Sequence, residues 1–264
     1  MWKKLTKIGL ALSLTVVLAA CGAGKEEKNL TVGASQVPHA EILEQVKPQL
    51  EKKGINLEVK VFQDYVTPNK AVEEGQLDAN FFQHVVWMNT TNQERDWHLK
   101  KVTGVHIEPM GAYSKKIDKV SQLKKGSTVA LPNATSEMTR VLLLLDKQGL
   151  IQLDDTEGKK TLNNIEKNPK KLKFKPMEAA ALPRFLDQVD MAIINTNYAL
   201  QANLNPKEDA LFKEGKDSPY VNVLAVKAGN EDNKAVQELA EALNSPEVKE
   251  FINEKYKGAI VPAF

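Results

Sequence analysis

The sequence predicts an α/β fold of mainly parallel, layered sheets arranged as two lobes. From residue 30 onward, short β-type runs alternate with longer runs of helical period, the pattern of parallel sheets covered by helices. That pattern restarts near Tyr113, and an apolar run at 221–226 is placed to return the chain to the first lobe. With 264 residues, 42% of them hydrophobic, the chain has material for two medium domains or one large α/β domain.

The first segment is a targeting signal. Residues 1–20 carry Lys3, Lys4 and Lys7, then an apolar run at 8–18, too short for a membrane span of about 20 residues. It ends in Leu18-Ala19-Ala20-Cys21, small residues before a cysteine, which predicts cleavage before Cys21 and a diacylglycerol group on its thiol. Residues 21–28 are small, charged and without period, as a tether requires. Cys21 is the only cysteine, so the exported body has neither a disulfide nor a thiol for catalysis or metal binding. The expected location is the extracytoplasmic face of the cell membrane, held there by lipid.

The body then reads in order. A strand at 30–34 leads into a helix at 38–53, whose apolar positions Ile42, Leu43, Val46 and Leu50 share one face and which Gly54 closes. A strand at 57–62, a helix at 69–75, a strand at 77–82 and a helix at 85–95 follow, then an apolar extended run at 105–113. After the restart come a turn or short helix at 120–124, a strand at 128–131 and a helix at 136–148 capped by Gly149. Next are a strand at 172–175, a helix at 179–188, a strand at 191–194 and a helix at 197–202. The strand at 221–226 and helices at 233–243 and 246–257 end the chain. The lobes are therefore expected at 29–110 plus 222–264 and at 111–221.

Composition narrows the function. The formal charge is +2, and losing the three lysines of the signal leaves −1; no basic block interleaved with aromatics points to nucleic acid. His39, His98 and His106 lack metal-ligand spacing, and neither a phosphate-binding glycine loop nor a nucleophile elbow occurs, so no metal or cofactor is expected. In open α/β sheets ligands sit beyond the carboxyl ends of strands, against helix N-termini. That rule selects Phe62 to Tyr65, Phe81 to His84 with Trp87, the turn from Pro132 to Arg140, and Asn195 to Tyr198. Together they offer aromatic walls, a histidine, amides and an arginine, a set suited to a small zwitterion with an apolar side chain. Each residue also has a plainer reading. Arg140 could be a solvated helical residue, Asn195 a helix cap, His84 a satisfied local residue, and one of Phe81 and Phe82 core.

These same residues resemble the methionine-binding lipoproteins of the MetQ/NlpA family. The resemblance runs through Val37-Pro38-His39-Ala40-Glu41-Ile42-Leu43, Asp64-Tyr65-Val66-Thr67-Pro68-Asn69 and Leu77-Asp78-Ala79-Asn80-Phe81-Phe82-Gln83-His84. It continues through His106-Ile107-Glu108-Pro109-Met110-Gly111, Ile194-Asn195-Thr196-Asn197-Tyr198-Ala199-Leu200, Asp217-Ser218-Pro219-Tyr220 and the terminal run to Phe264. It implies a periplasmic-binding-protein-like fold, two α/β lobes joined by hinge strands with a ligand cleft between them. It also implies a monomeric receptor that delivers methionine to the permease and ATPase subunits of an ABC importer. By the same resemblance Tyr65, Phe82, His84 and Trp87 surround the ligand side chain, Arg140 holds its carboxylate, and Asn195 and Asn222 take its amino and carboxylate groups.

Three departures stand out. Trp87 replaces the family's usual tyrosine, Glu137-Met138-Thr139-Arg140 replaces Asn-Gly-Gly-Arg, and Thr196 replaces the glycine of Asn-Gly-Asn. Glu137 thus joins the expected ligand-binding set as an extra acid beside Arg140. A methionine-containing dipeptide or another amino acid is the alternative ligand; an exported enzyme on amino-acid derivatives and a surface adhesin are the remoter readings.

Overall fold

The computed structural model describes residues 28–215 and 218–264. The expected signal at 1–20, Cys21 and the tether up to residue 27 lie outside the described residues, and Lys28 already belongs to the first strand.

Strand β1 (Lys28–Ser35) runs through a short π-turn into α1 (Glu41–Lys52). The spacing of Ile42, Leu43, Val46 and Leu50 does what the sequence predicts and buries one stripe of α1. Gly54, at φ 76°, ends the helix in the left-handed region and turns the chain into β2 (Ile55–Phe62), parallel to β1. Helix α2 (Thr67–Glu73) leads to β3 (Ala79–His84), parallel to β1 on its other side, and α3 (Val85–Arg95) leads to β4 (Leu99–Ile107). The second half contains β5 (Gly111–Tyr113), β6 (Thr128–Pro132), α4 (Thr135–Lys147) and a hairpin of β7 (Gln152–Leu153) with β8 (Ile165–Lys167). It continues with β9 (Lys173–Met177), β10 (Met191–Ile194), α5 (Thr196–Gln201) and β11 (Phe212–Lys213). The chain closes with β12 (Val221–Lys227), α6 (Lys234–Leu243), α7 (Pro246–Tyr256) and β13 (Val261–Pro262).

Two main sheets result, one of six strands in the order β13-β4-β12-β3-β1-β2 and one of five in the order β11-β5-β10-β6-β9. Both are mixed, which corrects the expectation of mainly parallel sheets. The reason is in the connections. The chain leaves the first sheet at the end of β4 and returns as β12, whose first residue Val221 pairs with Ile107, the last of β4. A strand that starts where its neighbour finished must run antiparallel, and β12 is antiparallel to both β4 and β3.

Two other expectations are corrected. The extended run at 105–113 is two strands in different sheets, because Glu108-Pro109-Met110 interrupts pairing and Pro109 has no N–H for a ladder. The expected α-helix at 179–188 is a 3-10 segment over Ala179–Phe185, with Pro183 inside it denying the i→i−4 bond. Each main sheet has its own apolar core, one around Leu30, Val32, Phe81, Leu224 and Leu239 and another around Leu131, Leu142, Leu145 and Ile193. No helix among the described residues is long and apolar enough to cross a membrane.

Candidate functional site

All eight expected ligand residues line one cavity of about 20 Å3 between the two sheets. Tyr65 follows β2, Phe82 and His84 end β3, and Trp87 sits in the first turn of α3. From the other sheet, Glu137 and Arg140 occupy the first turns of α4, and Asn195 follows β10; Asn222 stands at the start of β12. The carboxyl-end rule finds all of these places but that of Asn222, which stands at the amino end of its strand, because strand ends and helix starts leave backbone groups and side chains free to face a cleft.

Glu137 is the centre of the polar network. It is 1% exposed, its Oε1 accepts from His84 Nε2 at 2.6 Å, and its Oε2 accepts from Asn195 Nδ2 at 2.5 Å. His84 caps α3, with Nδ1 accepting the backbone N–H of Trp87 at 3.0 Å, which leaves the ring proton on Nε2. Burial opposes the charge on Glu137, but His84, Arg140 and Asn195 outweigh it and hold the carboxyl down to about 2. Asn195 occupies the N-cap position of α5 without a side-chain cap bond. Its side chain faces the cavity network instead, and its Oδ1 is buried without a partner among the described residues.

Arg140 is 4% exposed and held from three directions. Nε and Nη2 donate to the two oxygens of Glu214 at 2.8 and 2.5 Å, Nη2 also donates to the Glu108 carbonyl at 2.8 Å, and the Tyr220 ring lies 4.2 Å from the guanidinium carbon. Glu108, Glu214 and Tyr220 all belong to the segments that join the two sheets. Nη1 is left facing the cavity, 4.0 Å from Glu137 Oε2.

Behind the cavity, Ser35, His39, His106 and Glu108 form a buried chain that ends on Asn222. His39 Nε2 lies 3.2 Å from Asn222 Oδ1 and 3.2 Å from Glu108 Oε1, both acceptors, so that nitrogen carries the proton. His39 Nδ1 is then the acceptor for the Ser35 hydroxyl at 2.6 Å. His106 Nε2 donates to the same Glu108 oxygen at 2.8 Å. Burial drives both imidazoles toward the neutral form, His39 to about 4 and His106 to about 3, and it pushes the Glu108 carboxyl up. Three atoms of His39, His106 and Glu108 lie within 4.8 Å of one another, the one grouping with metal-ligand geometry among the described residues. Here those atoms bond to each other.

The apolar wall is aromatic. The Tyr65 ring stacks on Tyr198 at 5.0 Å and meets Trp87 at 5.5 Å and Phe82 at 5.8 Å, while its hydroxyl donates to Asn197 Oδ1 at 2.6 Å across the two sheets. Of the pair Phe81 and Phe82, the period of the strand puts Phe81 in the core and Phe82 on the cavity, as alternation requires.

Sequence reasoning missed several participants. Gln83, Thr196 and Asn197 line the cavity from within the selected turns without having been given a ligand role, and Glu108 lines it from a motif block outside them. Glu214 carries no sequence signal, since it lies in an irregular connection and is recruited by Arg140 and the Met110 N–H.

The sequence profile of the NlpA lipoprotein family matches residues 30–264. A methionine-binding lipoprotein MetQ of Bacillus subtilis is 42% identical over 270 residues, covering 98% of each chain. The structure of a nutrient-binding protein from Burkholderia cenocepacia bound to methionine superposes with a TM-score of 0.86 at 43% identity, over 89% of this chain and 100% of that one. Lipoprotein Tp32 of Treponema pallidum gives 0.87 at 39% identity, over 90% and 100%. With a profile match over nearly the whole described chain, and a two-sheet fold shared with these relatives, the protein belongs to the NlpA lipoprotein family.

Proposed function

We propose that the protein is the solute receptor of an ABC importer, capturing L-methionine or a close relative and delivering it to the permease. The observation that carries this reading is the convergence of both sheets on one small cavity that pairs an arginine and amides with an aromatic wall. Methionine is a zwitterion with an unbranched apolar side chain, and this division into a polar end and an aromatic end matches it. Two relatives support the choice by what is said of them: one is named for methionine binding, the other holds methionine. In this reading Arg140 Nη1 meets the carboxylate, Asn195 and Asn222 take the polar atoms, and Tyr65, Phe82 and Trp87 cover the side chain beside His84.

The two sheets are the lobes, 29–110 plus 222–264 and 111–221, and the connections through Glu108 and Glu214 are the hinges. A cavity of about 20 Å3 has room for a water or two at roughly 10–15 Å3 each, so ligand entry requires the lobes to part. Residues 1–20 export the chain, the lipid on Cys21 holds it at the extracytoplasmic face of the membrane, and the receptor works as a monomer beside the permease and its ATPase.

Thermal unfolding and calorimetric titration against the amino acids, both methionine enantiomers and methionine dipeptides test this. A ligand that binds only the folded state adds about 4 kcal/mol at a thousandfold excess over its Kd. Stabilisation by L-methionine is the expected result. Stabilisation by another compound, with none from methionine, would reassign the ligand, and no stabilisation by any of them overturns the receptor reading.

A further inference from the structure

The polar groups around the cavity are committed in opposite senses. Asn222 spends its Oδ1 on His39 Nε2, so Nδ2 is the group it has left, and Arg140 Nη1, 4.0 Å from Glu137 Oε2, is a second donor of the same lining. Asn195 spends its Nδ2 on Glu137, so its Oδ1 is left, buried and without a partner among the described residues. Glu137 adds a carboxylate whose two oxygens each accept one bond and retain a second lone pair. Glu137 and Asn195 thus present acceptors, while Trp87 Nε1 and Asn197 Nδ2 are donors of the same lining that have no partner among the described residues.

The charges are also unequal. Arg140 is matched by Glu214 through a two-point fork, and His84 accepts the Trp87 N–H on Nδ1 while its Nε2 bonds to Glu137. Glu137 is 1% exposed and held by His84 and Asn195, while the nearest guanidinium nitrogen, 4.0 Å away, belongs to an arginine already paired with Glu214. An ammonium brought against those oxygens would add charge-assisted bonds to a carboxylate that its neighbours already hold ionised.

We propose that Glu137 and Asn195 Oδ1 form a receptor for a free ammonium, opposite a carboxylate receptor made by Arg140 Nη1 and Asn222 Nδ2, and that Glu137 restricts the site to ligands with an unblocked amine. The proposal rests on the amino-acid reading above and specifies its amine end. It fixes the ligand's direction in the cleft, and it excludes a definite class of compound. An N-acylated amino acid keeps the carboxylate but has lost the ammonium, so it carries a net negative charge. It would leave both Glu137 and Asn195 Oδ1 without their donor. Sites built to bond a polar group reject analogues lacking it far more strongly than apolar pockets reject a change of size. The departure of Glu137 from the amide usual in the family thus becomes a specificity determinant.

The test compares free and N-blocked ligands on the full chain in detergent. Calorimetric titration uses the amino acids together with the N-formyl and N-acetyl forms of whichever binds, on wild type and on Glu137→Gln. The expected result is at least about a 100-fold preference of wild type for the free amine. In Glu137→Gln the free ligand weakens by about 10-fold or more while the N-acyl forms change little, so the preference shrinks. Binding of an N-acyl form within about threefold of the free compound overturns the proposal, as does an unchanged preference in the variant. The wild-type comparison decides the matter by itself if Glu137→Gln fails to fold. Should methionine fail while another free amino acid shows the preference, the methionine reading falls and this one stands. Failure of every free amine to bind overturns both.

Discussion

Acidification from pH 7 to pH 4 should remove a large part of the folding stability through two histidines. His39 and His106 have pKa values lowered by burial from 6.5 to about 4 and about 3, and both are 0% exposed. A depressed histidine pKa means that the folded chain refuses a proton the unfolded chain takes. The stability from these groups is therefore complete above about 6.5 and declines as the pH falls below that value. At roughly 1.4 kcal/mol per unit, each histidine gives up about 3 kcal/mol by pH 4, together about 6 kcal/mol, against a total of about 5–15 kcal/mol for a typical domain. The steepest slope is two protons, about 2.7 kcal/mol per pH unit, between pH 6 and 4.5. Glu108, whose carboxyl burial pushes up, acts in the opposite sense and returns part of this loss, so about 6 kcal/mol is the upper value. Glu137, held down to about 2, acts in a separate window: its share is present above about 4.5 and is lost only as the pH falls further.

Urea unfolding followed by tryptophan fluorescence at a series of pH values gives the slope. Histidine NMR resonances give the assignment, since His39 and His106 should stay in the neutral form until below pH 5 in the folded protein. Both rings titrating near 6.5 while the protein remains folded would refute the burial argument. It would leave the proton on His39 Nε2 in place but turn Nδ1 into a donor, reversing its bond with the Ser35 hydroxyl.

Three further outcomes follow from specific contacts. Tyr65→Phe deletes the 2.6 Å bond to Asn197 Oδ1 that links the two sheets; it should cost about 1–3 kcal/mol of the closed form, read as roughly 10-fold or more weaker ligand binding with little change in the urea m-value. Glu214→Gln keeps the shape of the fork on Arg140 but removes its charge, and unfolding should be easier by about 1–3 kcal/mol with the transition midpoint in urea moved down. Gly111→Ala would place its Cβ 2.8 Å from the Tyr113 hydroxyl and 3.0 Å from its ring at the start of β5, and it should destabilise by about 1–3 kcal/mol in the same assay; an unchanged midpoint would mean the ring moves aside freely.

The amino-acid order alone determined the elements whose signal is local. The stripe of Ile42, Leu43, Val46 and Leu50 made α1 and named its buried face, because helical period and burial are two readings of one pattern. Strands with helices after them also marked where a cleft could form, so the four selected turns contain seven of the eight expected ligand residues; Asn222 came only from the family resemblance. What each of those side chains is bonded to was settled elsewhere. The mixed sheets depend on β12 entering beside the end of β4, and no local propensity encodes the entry point of a strand 114 residues later. The fork between Arg140 and Glu214 joins residues 74 apart, and the contact from His39 to Asn222 spans 183. Hydrogen-bond commitments of this range exist only once the chain has folded, and they alone turned Asn195 and Asn222 to face the cavity with opposite ends of the same amide group.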